Sequence, residues 1–339
     1  MKEKAGALAR DFAPEAATLA VLAAVFWFFM KTGMLNDREL VQPLLWHLMI
    51  LICIGTLILA FCKKLTYERL ISVILLAGLI MRIGFVLYKN TDAAYHDLGE
   101  ITTENAYGHA AYVLTIFETG RLPSINRGQF YHPPFFHILA ACAMKVTGKV
   151  LNITDEVWLF EATKIVSCAA TCFTLIAFWK ILKELKLGKT SKVIALSIGA
   201  FLPVFYMLGG WINNDALVTM FMTWIILYTI RWYKKPGYFH IVMLALSFGL
   251  GIFTKISCAL LAFYTGFFML LKLVRSVREG TWKGLIGQFA VFACIAFPIG
   301  LYFPIRNYLL FGQGLNYVLP PGDNIYCGDH GFIERFVTF

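Results

Sequence analysis

Charged residues are scarce in this chain: they make up 15% of its 339 residues, while hydrophobic residues make up 59%. Soluble domains carry about 25% charged and roughly 45–50% apolar residues. The composition therefore excludes an ordinary soluble domain. The mean hydropathy of +0.69 and several apolar stretches close to the ~20 residues that a membrane-spanning helix needs indicate a multi-pass membrane protein.

Cysteine is rare where a disulfide would form. Seven of the eight cysteines lie in apolar stretches and only Cys327 lies in an outer segment, so no disulfide framework is readable. Cys168 and Cys172 share a helix face, but no His or carboxylate lies between them, and we expect packing residues rather than a metal pair. The net charge of +10 lies in short loops beside the apolar segments. We expect it to contact anionic membrane lipids and not nucleic acid.

Nine apolar segments are predicted to span the membrane. Since lipid offers no hydrogen-bond partners to the backbone, they must be helices, and the predicted fold class is an all-α polytopic helix bundle. The predicted spans are 17–33, 44–62, 70–88, 158–182, 193–209, 214–231, 239–254, 257–273 and 285–303.

The charges between these spans predict the orientation. With the N-terminus in the cytoplasm, the inner segments hold 18 Lys and Arg against 4 Asp and Glu, and the outer segments hold 9 against 13. Because positive charge favours the cytoplasmic side, we expect a multi-pass protein of the plasma (cytoplasmic) membrane with its large loops outside.

The chain divides into three parts: an N-terminal pair of spans (1–69), a helical module (70–303) with an outer loop at 89–157, and an outer segment (304–339). Within the loop we predict two helices on the membrane surface. One covers 103–119, capped by Thr103 and closed by Gly120, and the other covers 134–148. Because the chain ends in an outer segment without a closing span, we expect that a C-terminal part is missing.

The stretch "QFYHPPFFHILA" opens the second of these helices. Pro133 and Pro134 suit a first helical turn, where a missing N–H costs nothing. Phe135 and Phe136 are predicted to dip into the membrane interface, and His137 to mark the wet edge of the helix.

Polar residues that could carry chemistry gather in the outer loop. Four of the seven histidines lie there, and imidazoles clustered with carboxylates can bind a divalent metal or perform acid–base work, although no fixed ligand spacing is present. The candidates are Asp97, His96, Glu100, His109 and His132. A divalent metal would be held by Asp97, Glu100 and His132.

Further candidates emerge on the same side in three short outer turns. In "GGWINNDAL", Asn213, Asn214 and Asp215 either cap the helix that follows or bind a polar substrate. Lys255 in "GIFTKISC" either snorkels to the interface or neutralises a lipid phosphate. Arg306 in "FPIRNYLLFGQ" suits phosphate recognition. Together these groups indicate a site for a phosphorylated lipid outside the cytoplasm.

Over roughly residues 70–320 the chain resembles GT-C glycosyltransferases. The resemblance lies in the motifs "HDLGE", "GHAAYVLTIFETGRLP" and "FYHPPFFHILAA" of the outer loop, which are followed by "INNDAL", "FTKIS" and "RNYLLFGQ". They are most similar to bacterial family 39 enzymes related to protein O-mannosyltransferases and to the aminoarabinose transferase for lipid A. The resemblance rests on the order of the motifs, the loop sizes and the topology, because each motif alone is weak.

The resemblance implies sugar transfer from a polyprenyl-phosphate donor to a protein, lipid or glycan acceptor outside the cytoplasm. Asp97 matches the loop aspartate that acts as general base in a direct, inverting displacement. Lys255 and Arg306 match positions that hold the lipid phosphate. Relatives carry an Asp-Glu pair where this chain has Asp97 and Leu98, so Glu100 is only a substitute for the second carboxylate.

Two other functions are compatible with the composition. A transporter or flippase of lipid-linked substrates would be expected to show inverted repeats and broken helices near the midplane, and no convincing repeat is present. A non-catalytic membrane scaffold related to such enzymes is the other alternative.

Overall fold

The computed structural model describes residues 2–91, 97–103, 107–123 and 128–312, with the backbone alone for 2–9 and 128–129. Within these ranges the chain is helical and contains no strand. The α-helices in chain order are α1 (Lys2–Thr32), α2 (Arg38–Phe61), α3 (Tyr67–Tyr88), α4 (Gly108–Thr119), α5 (Phe135–Leu151), α6 (Glu156–Phe160), α7 (Lys164–Glu184), α8 (Lys189–Phe201), α9 (Pro203–Met207), α10 (Asp215–Lys234), α11 (Tyr238–Thr254), α12 (Leu261–Arg278) and α13 (Lys283–Phe311).

The prediction of a polytopic helix bundle is confirmed. Among the described residues, seven helices are long and apolar enough to cross a membrane, and the bent pair α8 and α9 would form an eighth span. The predicted span 239–254 coincides with α11, a shorter apolar helix of 17 residues. Each of the nine predicted spans therefore falls on helical residues.

The break between α8 and α9 has a clear cause. Pro203 lacks the N–H that would bond the carbonyl of Gly199, and the two helices are bent by 50°. Arg82, buried on α3, supplies the missing donors: its guanidinium donates to the carbonyls of Gly199 and Ala200, both at 2.9 Å. An intramembrane arginine thus serves as a C-terminal cap for α8.

An ion-pair network at the end of the bundle opposite the large loop ties α1 to the later helices. Lys180 of α7 lies 2.6 Å from Glu15 of α1. Arg231 of α10 lies 2.8 Å from Asp11 of α1 and 3.1 Å from Glu184. This end holds the segments predicted to be cytoplasmic, and the orientation itself stays a prediction.

The two loop helices differ from the predictions at their starts. α4 begins at Gly108, so Thr103 does not cap it, and the helix does end at Gly120 with a left-handed φ of 67°. α5 begins at Phe135 with Pro134 as its N-cap, so both prolines precede the helix. Both helices are largely covered by protein, since each contributes a run of buried residues to the main core.

The prediction for the aromatic pair was wrong in part. Phe136 is fully buried in the protein core and cannot dip into lipid. Phe135 is half-buried and its ring stacks on that of Phe253, with the centroids 5.8 Å apart. The seven described cysteines are free, and Cys168 and Cys172 are buried.

Candidate active site at the outer loop

Asp97 is fixed against the first turn of α4. Its φ is 70°, a left-handed conformation that Asp and Asn tolerate better than most residues. Its carbonyl oxygen accepts a hydrogen bond from the N–H of His109, and the carbonyl of Leu98 accepts one from Ala110, both at 2.9 Å. The backbone is therefore held while the Asp97 side chain stays exposed.

Two glycines make this close approach possible. A Cβ on Gly99, whose φ is +73°, would lie 1.9 Å from the carbonyl oxygen of Tyr107. A Cβ on Gly108, whose φ is +94°, would lie 2.3 Å from the carbonyl oxygen of Leu98. Only glycine fits at both positions, and this explains the glycines in the "HDLGE" and "YGHAAY" motifs.

We expect Gly99→Ala to destabilise the protein more than Gly120→Ala. Both residues have a left-handed φ, which costs alanine about 1 kcal/mol or more, but a Cβ on Gly120 would meet no atom within 4 Å. The free energy of unfolding, measured by denaturant titration in detergent micelles, gives the comparison. Equal losses in the two variants would contradict the close approach.

Three histidines and a tyrosine form a stacked cluster between α4 and α5. The Nδ1 of His109 and the Nε2 of His137 are 2.9 Å apart and hydrogen-bonded. The ring of Tyr112 stacks on that of His137 at 3.9 Å, and its hydroxyl donates to the carbonyl of His132 at 3.2 Å. The ring of His132 stacks on His109 with the centroids 5.6 Å apart. These contacts join the two loop helices.

Burial keeps these imidazoles neutral. Desolvation lowers the pKa of His109 to about 3, assisted by the positive charge of Lys255. It also lowers the pKa of His132 to about 3, and that of His137 well below its usual value. Burial raises the pKa of Tyr112 far above 10. At neutral pH the cluster therefore contributes hydrogen bonds and no charge. The prediction that His137 lies at a wet edge was wrong, because the side chain is fully buried.

Lys255 and Asp215 form an ion pair at the outer ends of α10 and α11. The Lys255 Nζ lies 2.5 Å from the Asp215 Oδ1, and both side chains are partly exposed. Asn214 is buried, and its amide donates to the carbonyl of Thr254 at 3.3 Å. Asn213 accepts from the N–H of Asp215 at 3.1 Å. Asn213 and Asn214 thus hold the backbone at these helix ends, and the Lys255–Asp215 ion pair is the part exposed to solvent.

Arg306 lies near the outer end of α13, where it contacts the loop. Its guanidinium donates to the carbonyl of Pro123 at 2.9 Å and lies over the rings of Phe303 and Phe311. Its positive charge also acts on the hydroxyl of Tyr112. The residue therefore links the last span to the turn that follows α4.

The structure brings some of the predicted residues into contact: His109 stacks on His132, and Lys255 pairs with Asp215. The charges of Lys255, Asp215 and Asp97 all act on His132. Glu100 is exposed, and His96 lies outside the described residues. Within those residues, no three His, Cys, Asp or Glu side chains form a group that could hold a metal ion. A metal bound by Asp97, Glu100 and His132 stays an untested prediction.

A cleft of about 480 Å³ lies beside this cluster. Apolar side chains line most of it, and Arg121 and Lys145 add positive charge. The cleft lies between α4, α5 and the ends of α11 and α13. Its volume is suitable for an amphiphilic ligand. The lining residues are Ile116, Gly120, Arg121, Leu122, Ile138, Ala141, Cys142, Lys145, Phe253 and Tyr302.

Sequence reasoning missed one buried ion pair near the site. Glu161 and Lys164 stand 2.5 Å apart at the outer start of α7, with almost no exposed side-chain area. Their i, i+3 spacing at the edge of a predicted span was a readable signal. Their hydrogen-bond partners come from distant parts of the chain and could not be predicted from the sequence.

These features define a helical membrane protein with a cluster of polar side chains where the loop helices meet the ends of the spans. Residues 131–299, just under half of the chain, match the model of a family described as Dolichyl-phosphate-mannose-protein mannosyltransferase. The similarity indicates a membrane glycosyltransferase of the mannosyltransferase-like type. The matched segment contains His132 and Lys255, whereas Asp97 and Arg306 lie outside it. No curated protein and no solved structure matches the chain.

Proposed function

We propose that the protein transfers a sugar from a polyprenyl-phosphate donor to an acceptor hydroxyl on the extracytoplasmic face of the membrane. The observation that carries the proposal is geometric: the carbonyl of Asp97 is hydrogen-bonded to the N–H of His109 on α4, whose ring stacks on His132. Lys255, paired with Asp215, is close enough to both imidazoles for its charge to lower their pKa. In this proposal Asp97 is the base and Lys255 the cation of one site, where the loop meets the ends of the spans. The similarity to a family named for a polyprenyl-type phosphate sugar supports the donor class.

The chemistry is a single displacement. Asp97 accepts the proton of the acceptor hydroxyl as its oxygen attacks the anomeric carbon. The bond between that carbon and the phosphate oxygen breaks, and the polyprenyl phosphate leaves with the electron pair. Lys255 and Arg306 offset the charge that develops on the phosphate. One displacement inverts the anomeric configuration.

Reconstitution tests the proposal. The purified protein in liposomes is given a polyprenyl phosphate mannose and a mixture of peptide and glycolipid acceptors. Release of polyprenyl phosphate and transfer of mannose with inverted configuration, read by NMR, are the expected results. Movement of the intact donor across the bilayer without bond cleavage would instead support a flippase and contradict the proposal.

Lys255→Met is expected to weaken donor binding. A charge-assisted hydrogen bond contributes about 1.5–3 kcal/mol, so the donor KM should rise roughly 10- to 100-fold, with a smaller change in kcat. Lys149→Met is the matched control, since Lys149 is an exposed lysine on α5 outside the cluster. Equal KM values in the two variants would exclude Lys255 from phosphate binding.

A further inference from the structure

The buried pair of Glu161 and Lys164 joins three separate parts of the chain. Besides Glu161, the ammonium of Lys164 contacts the Oδ1 of Asn36 at 2.8 Å and the carbonyl of Lys89 at 2.6 Å. The ammonium of Lys164 therefore donates hydrogen bonds to the turn between α1 and α2 and to the end of α3, and forms an ion pair with Glu161 at the start of α7.

Asn36 brings the N-terminal pair of helices into this arrangement. It adopts a left-handed φ of 68°, and its N–H donates to the carbonyl of Leu87 at 2.9 Å. The turn between α1 and α2 is therefore fastened to the end of α3 through its backbone and to Lys164 through its side chain. These helices precede the part of the chain that matches the mannosyltransferase family.

The other carboxylate oxygen of Glu161, which does not pair with Lys164, binds Thr91 at the start of the outer loop. Its Oε1 accepts from the N–H of Thr91 at 3.1 Å and from the Thr91 hydroxyl at 2.5 Å. Thr91 is 1% exposed. The chain is thus fixed at Lys89 and Thr91 where it leaves α3, and again at Asp97 where the loop meets α4.

Stability alone does not account for this pair. Removing two charges from water costs several kcal/mol per ion, and a buried pair can often be replaced by apolar residues without loss of stability. What apolar residues cannot reproduce is the directional bonding of Lys164 to the Lys89 carbonyl and the Asn36 side chain. Nor can they reproduce the bonding of Glu161 to the N–H and hydroxyl of Thr91. The contacts fix the chain at Lys89 and Thr91, where it leaves α3 towards Asp97.

We propose that Glu161, Lys164 and Asn36 form a clamp that positions the Asp97 loop, so that the N-terminal helix pair supports the reaction site from outside the family-matched region. This proposal rests on the proposed function. Glu161 and Lys164 are positioning residues, because they act on the loop through its backbone at Lys89 and Thr91.

The test compares two double variants. In Glu161→Leu/Lys164→Met both charges of the clamp are removed together. The control, Glu15→Leu/Lys180→Met, removes a buried pair of the same chemistry, 2.6 Å apart at the opposite end of the bundle. We expect both variants to fold. The clamp variant should lose about 10- to 100-fold in kcat with a nearly unchanged donor KM, since a misplacement of about 1 Å costs on that order, and the control should keep its kcat.

Hydrogen exchange gives a readout that does not depend on transfer. Peptides covering 85–91 and 107–112 should exchange faster in the clamp variant, because the Thr91 amide loses its acceptor and the loop backbone is released, whereas the control should match the parent there. Unchanged exchange in both peptides would overturn the proposal. If the parent shows no sugar transfer but the exchange difference is present, the clamp stands and the proposed function fails.

Discussion

Asp97→Asn is expected to lower the rate of sugar transfer roughly 10²- to 10⁴-fold, the usual contribution of a general base. Asparagine tolerates the left-handed conformation of this position, and the carbonyl contacts to His109 and Ala110 do not involve the side chain. The variant should therefore fold like the parent. The measurement is kcat for mannose release from a polyprenyl phosphate mannose, with the melting temperature determined on the same preparation.

Glu100→Gln tests which of the two loop carboxylates is the base. Glu100 is an exposed carboxylate three residues further along the same loop, and its change should alter kcat by less than a few fold. Full activity in Asp97→Asn would exclude Asp97 as the base. A large loss in Glu100→Gln alone would assign the role to Glu100, which the sequence offers as the substitute carboxylate.

Arg82→Met is expected to destabilise the folded protein by roughly 2–6 kcal/mol. The carbonyls of Gly199 and Ala200 would lose the guanidinium as their hydrogen-bond donor, and Pro203 has no N–H to donate in its place. Each unsatisfied buried carbonyl costs about 1–3 kcal/mol. Lipid offers no water to take over these bonds. The free energy of unfolding in mixed micelles measures the effect.

Arg82→Lys separates charge from geometry. Lysine keeps the positive charge but has three donors on a point-like head instead of a planar fork of five, so it should recover only part of the lost stability. A fully stable Arg82→Met variant would show that the carbonyls find other donors and that Arg82 does not cap α8.

The bundle was predictable because hydropathy is a local property. Each predicted span needed only its own residues, and each falls on one helix or on consecutive helices. The starts of the loop helices depend on other parts of the chain. α4 begins at Gly108 and not at Thr103 because the carbonyls of Asp97 and Leu98 occupy its first N–H groups, a contact that no local pattern encodes.

The site was predictable as a set of residue types and not as an arrangement. The placement of Lys255 and Arg306 at the same end of the bundle as the large loop followed from the predicted topology. The pairing of Lys255 with Asp215 and the burial of His137 between α4 and α5 depend on packing between distant segments. The partners of Lys164 are the extreme case, since Asn36 is 128 residues away in the chain.

The contact between the Asp97 loop and α4 also limits how the site can meet a phosphate. The start of a helix carries a partial positive charge and free N–H groups, and is a common anion-binding site in proteins. In α4 two of these donors, from His109 and Ala110, are already bonded to loop carbonyls. In the proposed reaction, this helix start is therefore not available to the leaving polyprenyl phosphate. The same short contact that holds the proposed base leaves the proposed phosphate recognition to the side chains of Lys255 and Arg306.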